Sequence, residues 1–219
     1  MTFLEVLSGI LEGFGNTIQV TALGLLFAVP FALVAGIAQS RTRGSIHACV
    51  TAIIEFWRST PVLVLLYAFY YSLPAFGVRL PGLMVGSLVL GLNIGGYGSQ
   101  AVRSALESLD RGQSEAGLSL GLQRWQVLVL VEFPQAFTLM LPTFVNQFIQ
   151  LVKATSIISL ITLRDMTFRA REISDIYYNP PKVYLALLVA YFITCYPMTI
   201  LGRRIERRVA AGRKVIYEF

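Results

Sequence analysis

Two sets of polar residues recur at one spacing in an otherwise oily sequence. Asn93, Tyr97 and Gln100 stand at i, i+4 and i+7, and Asn146, Gln150 and Lys153 repeat the pattern. On a helix each set lies along one face. Amides and a phenol donate and accept hydrogen bonds, and an ammonium group attracts carboxylates. The chemistry on offer is therefore recognition of a polar solute, and two such faces turned toward each other would line a path through an apolar slab. The amides suit interhelical hydrogen bonding equally well. Lys153, a lone cation among apolar residues, points more firmly to function, because an ionisable group in hydrocarbon is costly and seldom idle.

Other chemistry falls away on inspection. Cys49 and Cys195 are far apart, and His47 is the single histidine, so both thiols read as small apolar residues and no metal or redox centre is indicated. None of Lys153, Lys182 and Lys214 follows a glycine. A Walker A loop is thus absent and ATP is not bound by this chain. The run GYGSQA at 96–101 formally matches a dinucleotide-binding pattern, but it sits inside an apolar helix and not at a strand-to-helix turn. Glu55 is the one carboxylate expected inside a span, and Arg58, one turn on, is placed to pair with it. No nucleophile and base come together, which leaves transport ahead of catalysis.

The elements that must position these residues follow from composition. The 219 residues are 55% hydrophobic and only 14% charged, against about 25% charged in soluble domains. This is an all-α integral membrane protein. The N-terminus carries Glu5 and Glu12 and no basic n-region, so the first apolar helix is expected to stay and not to be cleaved. A net charge of +6 and a pI near 9.5 could suggest nucleic acid. Arginines beside apolar spans instead follow the positive-inside rule, and no nucleic-acid partner is expected.

A crossing needs about 20 apolar residues, and about five candidates lie between charges: 17–38, 52–73, 80–102, 137–163 and 183–201, in one transmembrane domain over 1–219. Arg41, Arg43, Arg103, Arg111, Arg124, Arg203, Arg204, Arg207, Arg208, Arg213 and Lys214 then share one side, and Arg79, Arg164, Arg169, Arg171 and Lys182 the other. The richer side is cytoplasmic, with the N-terminus outside and the C-terminus inside. Gly82 with Gly86 and Gly91 with Gly95 form small-x-x-x-small pairs suited to packing or dimerisation. Arg58, Thr60 and Pro61, in RSTP, read as a kinked start to a helix.

The longest interval between spans, about 103–135, is cytoplasmic and not disordered in composition, since Leu118, Leu120, Leu122, Trp125, Val127, Leu128 and Leu130 run through it. Short amphipathic helices are expected there. Gly112, Gly117 and Gly121 permit breaks or close approach, and Pro134 is placed to start the fourth span, where its missing N–H costs nothing.

Here the residues become specific. Glu115, Ala116 and Gly117, followed by Gly121, Leu122 and Pro134, resemble the EAA loop of the membrane subunits of bacterial ATP-binding-cassette importers. FWRSTPVLVLLY, RGQSEAGLSLGL, FPQA and LVKATSI, in that order, resemble blocks of the polar amino-acid permeases, and ERRV near the C-terminus fits too. The resemblance implies a multi-pass permease subunit of the bacterial inner membrane, surrounded by lipid, that works by alternating access. It implies two ATPase subunits carrying ATP and magnesium, with no cofactor on this chain. A second copy or a sister permease and an extracytoplasmic solute-binding protein are the other implied partners. Glu115, Ala116, Gly117, Gly121 and Leu122 would form the coupling helix. Asn93, Tyr97, Gln100, Asn146, Gln150, Lys153, Thr155 and Ser156 would line the solute pathway.

The departures from the family pattern are informative. Gly117 replaces the usual alanine, a loosening of up to about 1 kcal/mol in a helix. Ala154 stands where these permeases often carry aspartate, and Gln100 where they often carry glutamate. Loss of negative charge there disfavours a cationic solute, so a neutral, acidic or zwitterionic amino acid or derivative is expected. Two rival readings are an ion-gradient-driven transporter titrating Lys153 and Glu55, weakened by the short chain and the lack of an evident inverted repeat, and a structural membrane subunit.

Overall fold

The computed structural model describes residues 2–217, with side chains to residue 207. The side chains of Arg208, Arg213 and Lys214, counted above in the charge asymmetry, lie outside the described residues. All regular structure among the described residues is helical. The chain runs through α1 (Phe3–Leu11), α2 (Phe14–Arg41), α3 (Gly44–Ser59), α4 (Val62–Tyr67), α5 (Gly82–Glu107), α6 (Arg111–Ser119), α7 (Arg124–Val127), α8 (Phe133–Ala154), α9 (Met166–Tyr177) and α10 (Pro180–Tyr217).

Among the described residues, three helical stretches are long and apolar enough to cross a membrane: Phe3–Arg41, Arg124–Ile161 and Pro180–Arg207. A fourth is the pair Gly44–Ser59 and Val62–Phe76, bent by 97° at the break. The expected span at 80–102 corresponds to α5. Its 26 residues reach about 39 Å, enough for a hydrocarbon core of about 30 Å, but glycines and Asn93 dilute its apolar character. The structure supplies the reason: α5 is covered by other helices along most of its length, from Val85 to Leu106. A helix that touches protein more than lipid need not be oily.

Three sequence expectations need correction. The 52–73 stretch is not one straight span. Thr60 is extended (φ −79, ψ 134) and Pro61 caps α4, because a proline disfavours helical geometry in the residue before it. Secondly, the 103–135 interval is not all short amphipathic helices, since α5 continues through Glu107 and, after α6, a long helical stretch already begins at Arg124. Pro134 is the second residue of α8, in its first turn. It follows a π-helical turn, Leu128–Glu132, which contains Leu130, the residue whose carbonyl a helical Pro134 would strike. Thirdly, the interval after residue 163 holds a full helix, α9, which the apolar-span reading did not register.

The centre of the fold is a seam between α2 and α5. Small residues Gly24, Ala28, Ala32 and Gly36 on α2 meet Gly91, Gly95, Gly98 and Val102 on α5. A Cβ added at Gly91 would lie 2.4 Å from the Gly24 carbonyl oxygen, and one at Gly95 would lie 2.8 Å from that of Ala28. The Gly91 and Gly95 pair is thus spent on packing within the chain. Around the seam Val20, Leu66, Val89, Leu90, Leu151 and Ile158 form the main core. A second core joins α1, α9 and α10 through Ile10, Met166, Ala170 and Ala186, and a third joins α5 and α8 through Val102, Ala136 and Met140.

Candidate functional site: the α6 helix and the polar clefts

The α6 helix is built by local rules and then fastened at a distance. Asp110 caps its start, accepting the Gly112 N–H at 2.8 Å. Its end is a Schellman closure: Gly121 N–H donates to the Leu118 carbonyl at 3.0 Å and Leu122 N–H to that of Gly117 at 3.2 Å. Gly121 adopts φ +85 to allow this, a geometry that glycine takes without a steric cost. Gly117 is buried, and a Cβ there would come 3.1 Å from Cγ2 of Val127. The glycine therefore lets α6 lie close on α7, which the helix-loosening argument had not foreseen. Glu115 and Ala116 point to the exposed side, and Leu122 is half-buried.

Distant residues anchor the same helix. Ser114 donates its hydroxyl to Glu132 at 2.6 Å, and the other oxygen of that carboxylate forms an ion pair with Arg41 at the end of α2. Glu132, within the interval 103–135, lies inside the Arg124–Ile161 helix and is 5% exposed. Beside it Leu120 is 83% exposed and Trp125 61%, so α6 and the start of α7 offer an uncovered apolar surface at the arginine-rich end of the bundle.

The polar residues of the spans divide into two groups. Asn93 donates to the Trp57 carbonyl at 2.6 Å, Tyr97 to the Arg58 carbonyl at 3.0 Å, and Gln100 to Oε1 of Gln39 at 2.9 Å. These bonds tie α5 to α3 and α2. Arg58 pairs with Glu55 at 3.0 Å and lies 5.9 Å above the Tyr97 ring. Thr60 and Pro61 make the break that lets α3 present these carbonyls to α5. Gln39 was missed in the sequence: it is buried, donates to Thr51 at 2.9 Å, and holds His47 through its carbonyl at 3.0 Å. Its signal was an amide near the end of an apolar run, the same one that singled out Asn93.

The fourth span does not present one continuous polar face to α5. Tyr97 and Gln150 do come together, with Ile94, Gln147 and Ala154, around a cleft of about 300 Å³ between α5 and α8. Lys153 and Ser156 line a different groove, about 400 Å³, with Tyr191, Cys195 and Tyr196 of α10. Asn146 reaches Glu206 of α10 at 3.3 Å. Thr155 is buried and donates to the Val152 carbonyl at 2.7 Å, and Ser156 donates to that of Lys153 at 2.9 Å.

At the far end of the bundle Asp165 caps α9, accepting the Phe168 N–H at 2.8 Å and the Tyr191 hydroxyl at 3.3 Å. It is fully buried. Burial raises its pKa above the ordinary carboxylate range, while the hydrogen bonds from Phe168, Thr167 and Tyr191 pull it partly back. Nearby Arg169 joins Glu12 of the α1–α2 break to Glu172.

A bundle of membrane-crossing helices with polar clefts between them and a short, anchored helix at its arginine-rich end is a transport subunit of multi-pass type. The profile of the family described as the inner membrane component of binding-protein-dependent transport systems matches residues 28–211, and the chain belongs to that family. A probable amino-acid ABC transporter permease of Sinorhizobium fredii is 32% identical, covering 97% of this chain and 92% of that protein. The L-cystine transport system permease of Bacillus subtilis is 32% identical over 95% of this chain and 88% of its own length. The glutamine transport system permease of Escherichia coli is 31% identical over 91% and 92%. Among solved structures, an amino acid ABC transporter crystallised with histidines superposes with a TM-score of 0.84 at 28% identity, covering 95% of this chain and 99% of that one. The MetNI methionine transporter shares the fold, with a TM-score of 0.73 at 20% identity over 93% and 95%. The chain is a permease subunit, the transport component, of an amino-acid ABC importer of the bacterial inner membrane.

Proposed function

We infer that the chain, as one transmembrane domain over 1–219, crosses the membrane five times, through Phe3–Arg41, the bent pair, α5, Arg124–Ile161 and α10. Its N-terminus lies outside and its C-terminus inside. It works with two ATPase subunits, which carry ATP and magnesium, a second permease chain and an extracytoplasmic solute-binding protein. The observation that carries this reading is α6: a capped nine-residue helix fastened at the arginine-rich end, with apolar side chains uncovered beside it. Glu115, Ala116, Gly117, Gly121 and Leu122 form the coupling helix and its stop, with Glu115 and Ala116 exposed toward the ATPase and Gly117 buried against α7. Closure of the ATPase pair on ATP pushes α6, and the helices behind it move between inward-facing and outward-facing arrangements. A ligand drives such a change only by binding one arrangement better, so ATP and the loaded binding protein favour the outward form.

The solute passes the cleft at Tyr97, Gln150 and Ala154. Asn93 and Gln100 hold the wall behind it, with Asn146, Lys153, Thr155 and Ser156 further along the pathway. No carboxylate lines that cleft, whose residues are Ile94, Tyr97, Gln147, Gln150 and Ala154. A neutral, acidic or zwitterionic amino acid is therefore favoured over a cationic one. The test is co-purification of the ATPase with Gly121→Asp and Glu115→Lys variants, followed by ATP-driven uptake in vesicles. Attachment and uptake are expected to fall together. Wild-type attachment and uptake in both variants would show that α6 is ordinary loop packing.

A further inference from the structure

Glu132 is a buried carboxylate to which neither the hydrogen-bonding clefts nor the uncovered surface of α6 gives a task. It ends a π-helical turn, Leu128–Glu132, a distortion that is rare and concentrated at functional positions. Its two oxygens are divided between two elements. One accepts the Ser114 hydroxyl of α6 at 2.6 Å, and the other pairs with Arg41, the last residue of α2. The side chain of Glu132 is 7% exposed, that of Arg41 45%, so the carboxylate is fixed while the arginine reaches it from the rim.

The connectivity of the chain gives this arrangement its meaning. The α6 helix is joined directly to α5 by a short turn before Arg111 and to α7 by another before Arg124. A push on α6 therefore reaches α5 and α8 through the backbone. The α2 helix has no such connection, since its C-terminus turns at Thr42 and Arg43 into α3. Yet α2 is the helix packed along the α5 seam, where glycines meet carbonyl oxygens at close range and close packing resists movement of one helix past the other.

We propose that Glu132 is a positioning residue for energy coupling: through Ser114 and Arg41 it links α6 to the end of α2, so that displacement of α6 moves α2 and α5 as one unit. Without the link α6 pushes α5 alone against a seam that resists shear, and ATP hydrolysis continues without switching the spans. The proposal rests on the reading of α6 as the ATPase-bearing helix.

The experiment uses the whole importer reconstituted in proteoliposomes with its ATPase and binding protein. Three quantities are read: ATPase co-purification, ATP hydrolysis with and without loaded binding protein, and solute imported per ATP hydrolysed. The variants are Glu132→Gln, Arg41→Met, and the double variant Arg41→Met with Glu132→Leu. A buried charge stripped of its partner is destabilising, whereas replacing both partners by apolar residues is often neutral or favourable, so the double variant folds even if the single ones do not. Expected in the double variant are wild-type co-purification and a drop of at least fivefold in solute imported per ATP, with hydrolysis no longer stimulated by the binding protein. Recovery of wild-type coupling in the double variant would make the ion pair a matter of stability only and would overturn the proposal, as would a fall in uptake matched by the loss of assembled complex. Gly121→Asp, run alongside, separates the two readings: if it leaves ATPase attachment intact, the reading of α6 fails, and if it detaches the ATPase while the double variant transports normally, only the role of Glu132 fails.

Discussion

Substitution of Gly91 by alanine tests whether the α2–α5 seam sets the geometry of the bundle. The added Cβ would lie 2.4 Å from the Gly24 carbonyl oxygen, about 1 Å short of the 3.4 Å at which ordinary contact begins. The obstacle is main chain, so no rotamer change relieves it and the two helices must part or tilt. Overpacking of this kind costs roughly 1–3 kcal/mol, and the unyielding partner places this site in the upper half. Alanine recovers about 1 kcal/mol over glycine in a helix interior. The net destabilisation is thus about 1–2 kcal/mol, a fall of several degrees in thermal midpoint for a chain of this size. The assay is thermal unfolding of the detergent-solubilised protein across four variants. Gly15→Ala meets no atom within 4 Å, Gly95→Ala meets the Ala28 oxygen at 2.8 Å, and Gly36→Ala meets the Ser99 oxygen and Val102 Cβ, both at 2.6 Å. Midpoints should rank Gly15→Ala highest, then Gly95→Ala, Gly36→Ala and Gly91→Ala. A Gly91→Ala midpoint equal to or above that of Gly15→Ala would refute the close-seam reasoning.

Two further substitutions probe the cleft and the far end of the bundle. Ala154→Asp places a carboxylate beside Tyr97 and Gln150, and competition uptake assays should show cationic amino acids gaining several-fold over neutral ones. An unchanged or reversed preference would mean that the cleft does not select by charge. Asp165→Asn tests the buried cap of α9, whose pKa burial raises above the ordinary carboxylate range. The folded protein then binds the proton more tightly than the unfolded chain, so the stability that Asp165 contributes declines as pH rises from the ordinary carboxylate range through the raised value. The amide keeps an oxygen for the Phe168 N–H and cannot ionise. Its thermal midpoint relative to wild type should therefore be higher at pH 7 than at pH 4, and a difference that does not vary with pH would contradict the assignment.

Much of the α6 region was legible because its determinants are local. Gly121 was read as a break, and it acts on backbone groups a few positions away, as does Asp110, whose capping role the structure added. The tasks of Asn93 and Gln100 were only half legible. Their spacing put them on one face, but whether that face met a solute path or the Trp57 carbonyl and Gln39 depended on where α3 and α2 stood. Lys153 and Gln150 share a helical face by spacing, yet the neighbouring helices divide it, giving Gln150 to the α5 cleft and Lys153 to the α10 groove. The break at Thr60 and Pro61 was visible as a kink, but its size, 97°, was not.

By itself the sequence determined that this is an apolar, all-helical membrane chain with a short helix at its arginine-rich end, since composition, charge asymmetry and helix caps are sums of local preferences. It also carried, in ordered blocks, the likeness by which the family is known. Only the tertiary structure decided that the glycines of α5 serve a seam within the chain. The same holds for Gln39, which joins α2 to α5 across 61 positions, and for Glu132, which belongs to α6 and α2 at once. Those outcomes depend on which faces meet, and a helical repeat orders the residues of one face without naming the face it will touch.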